Sequence, residues 1–135
     1  MTTWRPVKYM ILMNATAAGL ASFGTMSKED FQAHVGFMLQ LNKELEAAGE
    51  LVDAKGLGGP HEAKMVRARE GGGAPIVTDG PFGESKEFLA GFWILDVRDE
   101  ARIIEIAARI STAPGKGGVP LNFPVEVRPI PEQKV

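Results

Sequence analysis

The chain has 135 residues, of which 44% are hydrophobic and 24% are charged, and its formal net charge is -2. This is the composition of an ordinary soluble globular protein, and so weak a negative charge provides no electrostatic footprint for nucleic acid. The chain contains no cysteine and two histidines, which excludes disulfides, a cysteine nucleophile, thiolate zinc sites and a three-histidine metal site within one chain.

The length predicts a single domain over residues 1–135, with no internal repeat or linker. No apolar run approaches the length that a membrane-spanning helix needs. Arg5 and Lys8 precede an apolar run at 9–13, which weakly resembles a signal peptide. Because Asn14 and Thr16 interrupt that run, we favour a first strand over a secretion signal. The lack of cysteine fits a reducing compartment, and we expect a cytoplasmic protein.

The first predicted elements are a strand and a long helix. The nearly continuous apolar run 7–13 predicts a buried strand, and the Ala-, Gly-, Ser- and Thr-rich stretch 14–26 predicts a loop. Residues 27–48 predict a helix, in which Ser27 and Asp30 form a reciprocal capping box and Gly49 provides a left-handed stop. One face of this helix collects its apolar side chains: Phe31, Val35, Met38, Leu41 and Leu45.

The rest of the chain alternates short strands and turns with a second helix. Its predicted strands cover residues 51–57, 63–68, 76–78, 88–97 and 125–128. Gly71-Gly72-Gly73 breaks the chain at the tip of a predicted hairpin, 61–78. Asp99 can cap a helix that ends at Pro114-Gly115, before a Gly-rich loop at 116–122. The apolar residues that share a face of this helix are Ile103, Ile106, Ala107 and Ile110.

The order of these elements predicts an α+β ferredoxin-like sandwich, with two helices on one face of a mostly antiparallel sheet. Such a sheet has a second, bare face. That face must be solvated or buried against something else.

The most informative motif lies at 77–97. A turn, Asp79-Gly80-Pro81-Phe82, precedes a charged cluster of Glu84, Lys86 and Glu87 and then an apolar strand with Gly91-Phe92-Trp93. This combination resembles the signature of the YCII-related proteins, also called DGPF-domain proteins. The resemblance spans most of the chain. It implies a dimeric α+β barrel, in which two chains stack their bare sheet faces, and therefore a homodimer.

The turn and the charged cluster each have more than one interpretation. Asp79 builds a turn with Phe82 tucked into the core, or it faces a pocket as an acid, base or orienting carboxylate, or the turn belongs to an interface. Glu84, Lys86 and Glu87 match the family's Glu-x-Lys-Glu pattern. They either bind a ligand or form a charged network that locks the turn to the next strand.

Four further residues are candidates for a site. His34 lies inside the apolar arc of the first helix and Asn42 lies near it, so both must be hydrogen-bonded or line a wet cavity. Histidine moves protons near neutral pH, and some YCII-related proteins are thought to use a His–Asp pair, which implies a His34–Asp79 pair here. The DGPF branch does not usually carry histidine at this position. His61 and Arg67 are binding candidates, or exposed residues of a turn and a strand.

Three hypotheses for function follow. The first is a protein that binds an aromatic or anionic small molecule in a helix/sheet cleft, with cofactor-free elimination or isomerisation; the resemblance implies a lyase of the dehydrochlorinase type. The second is a regulatory or accessory module, because genes of DGPF proteins often lie beside alternative sigma factors. The third is a structural dimer in which the motif only builds the fold. We expect no metal, no cofactor, no nucleic acid and no membrane partner.

Overall fold

A computed structural model describes residues 7–79 and 87–132. Single turns of 3-10 helix lie at Pro60–Glu62 and Lys116–Gly118. The strands and helices of this part of the chain are β1 (Val7–Thr16), α1 (Ala17–Gly24), α2 (Lys28–Ala47), β2 (Leu51–Gly56), β3 (Lys64–Arg67), β4 (Ile76–Asp79), β5 (Glu87–Val97), α3 (Glu100–Ser111) and β6 (Glu126–Pro129).

Four strands form an antiparallel sheet in the order β2-β5-β1-β6. With α2 and α3 between the strands, this is the order of a ferredoxin-like fold, and the predicted α+β class is confirmed. Between β2 and β5 the chain inserts a hairpin, in which β3 and β4 pair only with each other as a separate two-stranded sheet. The hairpin was predicted, but its separation from the main sheet was not.

The hydrophobic core lies between the sheet and the two long helices. The sheet contributes Ile11, Trp93, Leu95 and Val97, while α2 contributes Leu41 and Leu45. Four side chains of α3 complete it: Ile103, Ile106, Ala107 and Ile110. These are the residues that helical periodicity assigns to one face of α3, and burying each large one stabilises the fold by about 1.5–3 kcal/mol. The predicted cap is present as well, because the Asp99 carboxylate accepts from the Arg102 amide.

The loop predicted at 14–26 is wrong. β1 continues to Thr16, and Ala17–Gly24 forms the helix α1. Thr16 is the N-cap of this helix, and its hydroxyl accepts from the Gly19 amide at 3.0 Å. Threonine is a favoured N-cap residue, so the signal was present in the sequence but was hidden among small residues that are typical of loops.

The predicted buried face of α2 is correct only in part. Leu41 and Leu45 are buried, whereas Phe31 is 49% and Val35 is 37% exposed. At about 100° per residue, Phe31 and Val35 lie at one edge of the predicted apolar arc, whereas Leu41 and Leu45 lie at the other edge, which the core covers. Periodicity assigns side chains to an arc of the helix, but it does not tell which part of that arc the sheet covers.

The start of α2 also differs in one detail from the predicted capping box. Ser27 Oγ accepts from the Asp30 amide at 3.1 Å, as predicted. The Asp30 carboxylate does not complete the box, because its Oδ2 accepts from the Gly117 amide at 2.8 Å. Asp30 therefore ties the start of α2 to the Gly-rich loop after α3. At the other end, Gly49 has φ +74°, which confirms the predicted left-handed stop.

Candidate functional site

A cleft of about 230 Å³ lies between α2 and the sheet, and we call it the α2 cleft. Its helical wall consists of His34, Met38 and Asn42, which are spaced four residues apart and therefore form one row along the helix. Its other lining residues come from β1, β2 and β5: Met13, Ala54, Lys55, Gly56, Ala90, Gly91, Phe92 and Trp93.

Small residues create the hollow under the helix. Ala54 and Gly56 lie on β2, and Gly56 pairs directly with Gly91 of β5. A Cβ atom added at Gly91 would lie 3.0 Å from the Lys55 carbonyl oxygen. Glycine at 91 therefore allows the two backbones to approach each other, and the missing side chains leave space for a ligand.

Two lining residues direct their side chains away from the α2 cleft. Ala54 and Trp93 are paired and both face the helices, as their contacts with the core show. Lys55 and Phe92, the next pair along the two strands, must then face the other side of the sheet. The ion pair of Lys55 Nζ with Asp53 Oδ1, at 3.7 Å, agrees with this, since Asp53 alternates to the same side. Lys55 and Phe92 thus line the cleft with backbone atoms.

His34 is held in one orientation by the loop after α3. Its Nδ1 lies 3.0 Å from the Pro114 carbonyl oxygen, and its ring meets Phe23 edge-on at 4.9 Å between centroids. A carbonyl oxygen can only accept, so we assign the proton of the neutral imidazole to Nδ1. The lone pair is then on Nε2, which makes no hydrogen bond within the described residues.

Asn42 is oriented by Trp93. The indole Nε1 donates to Asn42 Oδ1 at 2.8 Å. Indole is a donor only, which fixes the amide with its oxygen towards Trp93. The Nδ2 group, with two N–H donors, remains for a ligand in the α2 cleft.

Asp79 lies elsewhere. It ends β4, its side chain is 83% exposed, and it forms an ion pair with Lys64 across the hairpin. It does not line the α2 cleft, so the structure does not bring Asp79 and His34 together within one chain.

The other predicted site residues are scattered. His61 is exposed in the 3-10 turn, Arg67 is exposed on β3, and Glu87 is exposed at the start of β5. Phe82, Glu84 and Lys86 lie outside the described residues. Of the predicted set, His34 and Asn42 are the two that the structure places in the α2 cleft.

Sequence reasoning missed several parts of this site. Trp93 was predicted only as part of an apolar strand and Met38 as part of an apolar helix face, while Met13 was predicted to end a buried strand and Pro114 to end a helix. Gly91 carried a usable signal, because an isolated glycine within an apolar strand often marks a close backbone approach. The contact between His34 and Pro114 joins residues 80 positions apart, and no local pattern could reveal it.

Within residues 7–79 and 87–132, no three His, Cys, Asp or Glu side chains gather as metal ligands would. No helix in the same ranges has the length and apolar character that crossing a membrane requires.

Comparison with known protein families gives a match, and it covers most of the chain. The family model of the YCII-related domain matches residues 7–120. No curated protein matches the sequence significantly.

Proposed function

Because the chain belongs to the YCII-related family, we propose that it binds a small molecule in the α2 cleft and carries out cofactor-free proton transfer there. One observation carries the proposal: His34 lines the cleft with Nδ1 held by the Pro114 carbonyl. A neutral imidazole held in this way has an unprotonated Nε2, which is the atom that a general base needs.

The proposed roles of the other residues follow from their chemistry. The Asn42 Nδ2 group would donate to a substrate oxygen on which negative charge develops while His34 removes a proton. Met13, Met38 and Trp93 would form the apolar walls and exclude water.

In an elimination, His34 Nε2 would take the proton, the electrons of the C–H bond would form the new double bond, and the leaving group would depart as an anion with the electrons of its own bond. In an isomerisation, the His34 imidazolium would return the proton to another atom of the substrate. An elimination of the dehydrochlorinase type, in which chloride leaves, is what the family resemblance suggests. We assign Asp79 to the hairpin turn or to an interface.

The test of this proposal is an NMR titration of the full chain with a collection of small fragments. We expect shifts at the Trp93 indole N–H, the Asn42 side-chain amide and the Gly56 and Gly91 amides. Where a fragment is also turned over, His34→Ala should abolish turnover and Asp79→Asn should leave it unchanged. Shifts that cluster away from the cleft, or turnover that survives in His34→Ala, would refute the proposal.

We further propose that the chain forms a homodimer through the bare face of its sheet. The centre of this face is apolar: Met10 and Leu12 of β1 lie beside Ile94 and Phe92 of β5 and alternate with residues of the core. All four are half-buried in one chain. An apolar patch of this kind favours a partner over water.

Charges at the two edges of the bare face support a second copy as the partner. One row across the sheet runs Asp53, Ile94, Met10, Arg128, and the next runs Lys55, Phe92, Leu12, Glu126. Each row thus ends in opposite charges. A twofold axis parallel to the strands would place Asp53 over Arg128 of a second copy, and Lys55 over its Glu126.

Asp96 and Lys8 extend the same charge pattern. They lie opposite each other at the end of the bare face, Asp96 on β5 and Lys8 on β1. The twofold axis that pairs the two edges would also bring Lys8 of the second copy over Asp96.

Analytical ultracentrifugation tests the dimer. We expect Arg128→Glu to raise the dissociation constant at least about tenfold, because like charges would face each other. The double variant Asp53→Arg/Arg128→Glu should restore the dimer. Lys116→Glu, which makes the same charge change at an exposed residue outside the sheet, is the control. A chain that is monomeric at every concentration would contradict the proposal.

One observation favours the regulatory module as a second candidate. Phe31, Val35 and Leu39 form an apolar row on α2, and they are 49%, 37% and 64% exposed. This row lies outside the proposed dimer face and could receive a protein partner linked to an alternative sigma factor. Isothermal titration calorimetry of the chain with a purified alternative sigma factor tests this candidate, and we expect Leu39→Glu to disrupt the contact. Absence of binding would rule out a direct contact.

A further inference from the structure

We infer that the α2 cleft selects an uncharged ligand of about one ring, with a hydrogen-bond donor for His34 Nε2 and an acceptor for Asn42 Nδ2. This inference rests on the proposed function and decides between the aromatic and the anionic ligands that the sequence leaves open, in favour of an uncharged aromatic one.

The described part of the α2 cleft offers no charged side chain to a ligand. Its side chains, as far as the described residues go, include no carboxylate, ammonium or guanidinium group that faces the ligand. Lys55 directs its ammonium group to the other face of the sheet, where it lies 3.7 Å from Asp53. A ligand with a full charge would lose hydration in the cleft without gaining a counter-charge, and this loss weakens its binding.

His34 and Asn42 each have one hydrogen-bonding group left for a ligand. His34 already uses Nδ1 on Pro114, and Asn42 already uses Oδ1 on Trp93. What remains is one acceptor, Nε2, and one donor group, Nδ2. Their residues are eight positions apart on α2, which separates the two Cα atoms by about 12 Å, with Met38 between them. A ligand that satisfies both therefore needs a donor at one end and an acceptor at the other.

The volume of the α2 cleft limits the ligand to about one ring. A cavity of about 150 Å³ in another protein holds benzene, so a cleft of about 230 Å³ has room for one ring and a few substituent atoms. Met13 and Met38 line this space, and thioether sulfur makes favourable contacts with aromatic rings. The floor carries no side chain larger than a methyl group at Ala54, Gly56 and Gly91, so a ring can approach the backbone there.

Three matched probes test the inference by NMR titration of the full chain at about pH 7. Para-hydroxybenzamide is uncharged and has a donor and an acceptor at opposite ends. Para-methoxybenzamide lacks the hydroxyl donor, and para-hydroxybenzoate carries a negative charge. We expect para-hydroxybenzamide to bind at least about tenfold more tightly than para-hydroxybenzoate, and about fivefold more tightly than the methoxy compound.

Two variants separate the two polar contacts. In His34→Asn, the side-chain amide can still donate to Pro114 while the Nε2 acceptor is lost, so the preference for hydroxyl over methoxy should disappear. In Asn42→Asp, a carboxylate oxygen can still accept from Trp93 while the N–H donors are lost, so both benzamides should bind more weakly. Gln32→Glu, an equal charge change at an exposed position of α2, should change neither affinity.

The outcomes distinguish this inference from the proposed function. If para-hydroxybenzoate binds in the cleft as tightly as para-hydroxybenzamide, the selection of uncharged ligands is overturned and the binding function stands. If none of the probes shifts the Trp93 indole N–H or the Asn42 amide, and the fragment collection also leaves them unshifted, both fail. Imidazole ¹⁵N shifts of His34 that place the proton on Nε2 would overturn the assignment of the acceptor.

Discussion

The indole Nε1 of Trp93 donates to Asn42 Oδ1 at 2.8 Å, and this bond joins α2 to the central strand β5 across 51 residues. Trp93 is 6% exposed, so its N–H has little access to water. The bond therefore has two effects. It satisfies a buried donor, and it fixes the amide of Asn42, a residue that lines the α2 cleft, with its oxygen towards Trp93.

Removing one partner of this bond should destabilise the fold. In Asn42→Leu the Trp93 N–H loses its acceptor, and we expect the free energy of unfolding to fall by about 1–3 kcal/mol. Adding Trp93→Leu to that variant should cost less than Trp93→Leu costs alone, because the donor is then removed too. Urea unfolding of the two single variants and the double variant measures the coupling. Strict additivity would mean that the bond contributes nothing.

The start of β2 depends on a bidentate ion pair. Arg102 of α3 donates through Nε and Nη2 to the two carboxylate oxygens of Glu50, at 2.9 and 2.7 Å. The hydrogen bond with Glu50 raises the pKa of Arg102 above its usual value. Because arginine is charged at any ordinary pH, a substitution and not a titration reveals this contribution.

We expect Arg102→Leu to lower the free energy of unfolding by about 2 kcal/mol, since it leaves the Glu50 carboxylate, 15% exposed, without its partner. Glu105→Gln is the control, because Glu105 binds the same arginine from a position where its side chain is 71% exposed. That variant should change stability by less than about 0.5 kcal/mol. Equal losses in the two variants would contradict the bidentate pair as the main contact.

A second ion pair predicts a pH dependence. Arg109 of α3 hydrogen-bonds Glu44 of α2 and holds the pKa of that carboxyl below its ordinary value of 4.5. A carboxyl group whose pKa is lower in the folded state stabilises the fold above its unfolded pKa, and this contribution is lost as pH falls through the folded pKa. The effect therefore lies at and below about pH 4.5.

We expect the urea midpoint of the native chain to fall between about pH 6 and pH 3, and to fall less in Glu44→Gln. Glu46→Gln, two residues further along the same helix and exposed, is the matched control and should follow the native curve. A Glu44→Gln curve parallel to the native one would show that the Arg109 contact does not persist in solution.

Local patterns in the sequence predicted most of the fold. The Asp99 cap, the Gly49 stop and the apolar face of α3 each depend on a few neighbouring residues, and all three are confirmed. Predictions from local patterns were wrong where contacts between distant residues determine the structure. Phe31 is exposed because the core covers only part of the apolar arc of α2, and Asp30 binds Gly117 instead of closing its capping box.

The site was predictable to a smaller extent. A histidine and an asparagine on an apolar helix face indicated a polar lining, and both residues are hydrogen-bonded in the α2 cleft. The chemistry of the turn at Asp79 could not tell where its side chain lies, because that depends on the hairpin forming its own sheet. Trp93 is a core residue, and the role of its indole N–H in the site could not be predicted because it depends on Asn42, which is 51 positions away.

The two facing glycines of the cleft floor give a further prediction. In Gly91→Ala the new Cβ would lie 3.0 Å from the Lys55 carbonyl oxygen, a backbone atom that cannot move without shifting β2. We expect a loss of about 1–3 kcal/mol in the free energy of unfolding. In Gly56→Ala the Cβ meets no atom within 4 Å, so stability should stay within about 0.5 kcal/mol.

Both substitutions nevertheless add a methyl group to the floor of the α2 cleft, so both should weaken the binding of para-hydroxybenzamide. Gly56→Ala therefore separates the two effects, since it should bind more weakly without unfolding more easily. Thermal unfolding and NMR titration of the same samples measure both quantities. Normal affinity in Gly56→Ala would place the ligand away from the β2 side of the cleft. Unchanged stability in Gly91→Ala would show that β2 and β5 are less closely packed at this pair than the 3.0 Å approach indicates.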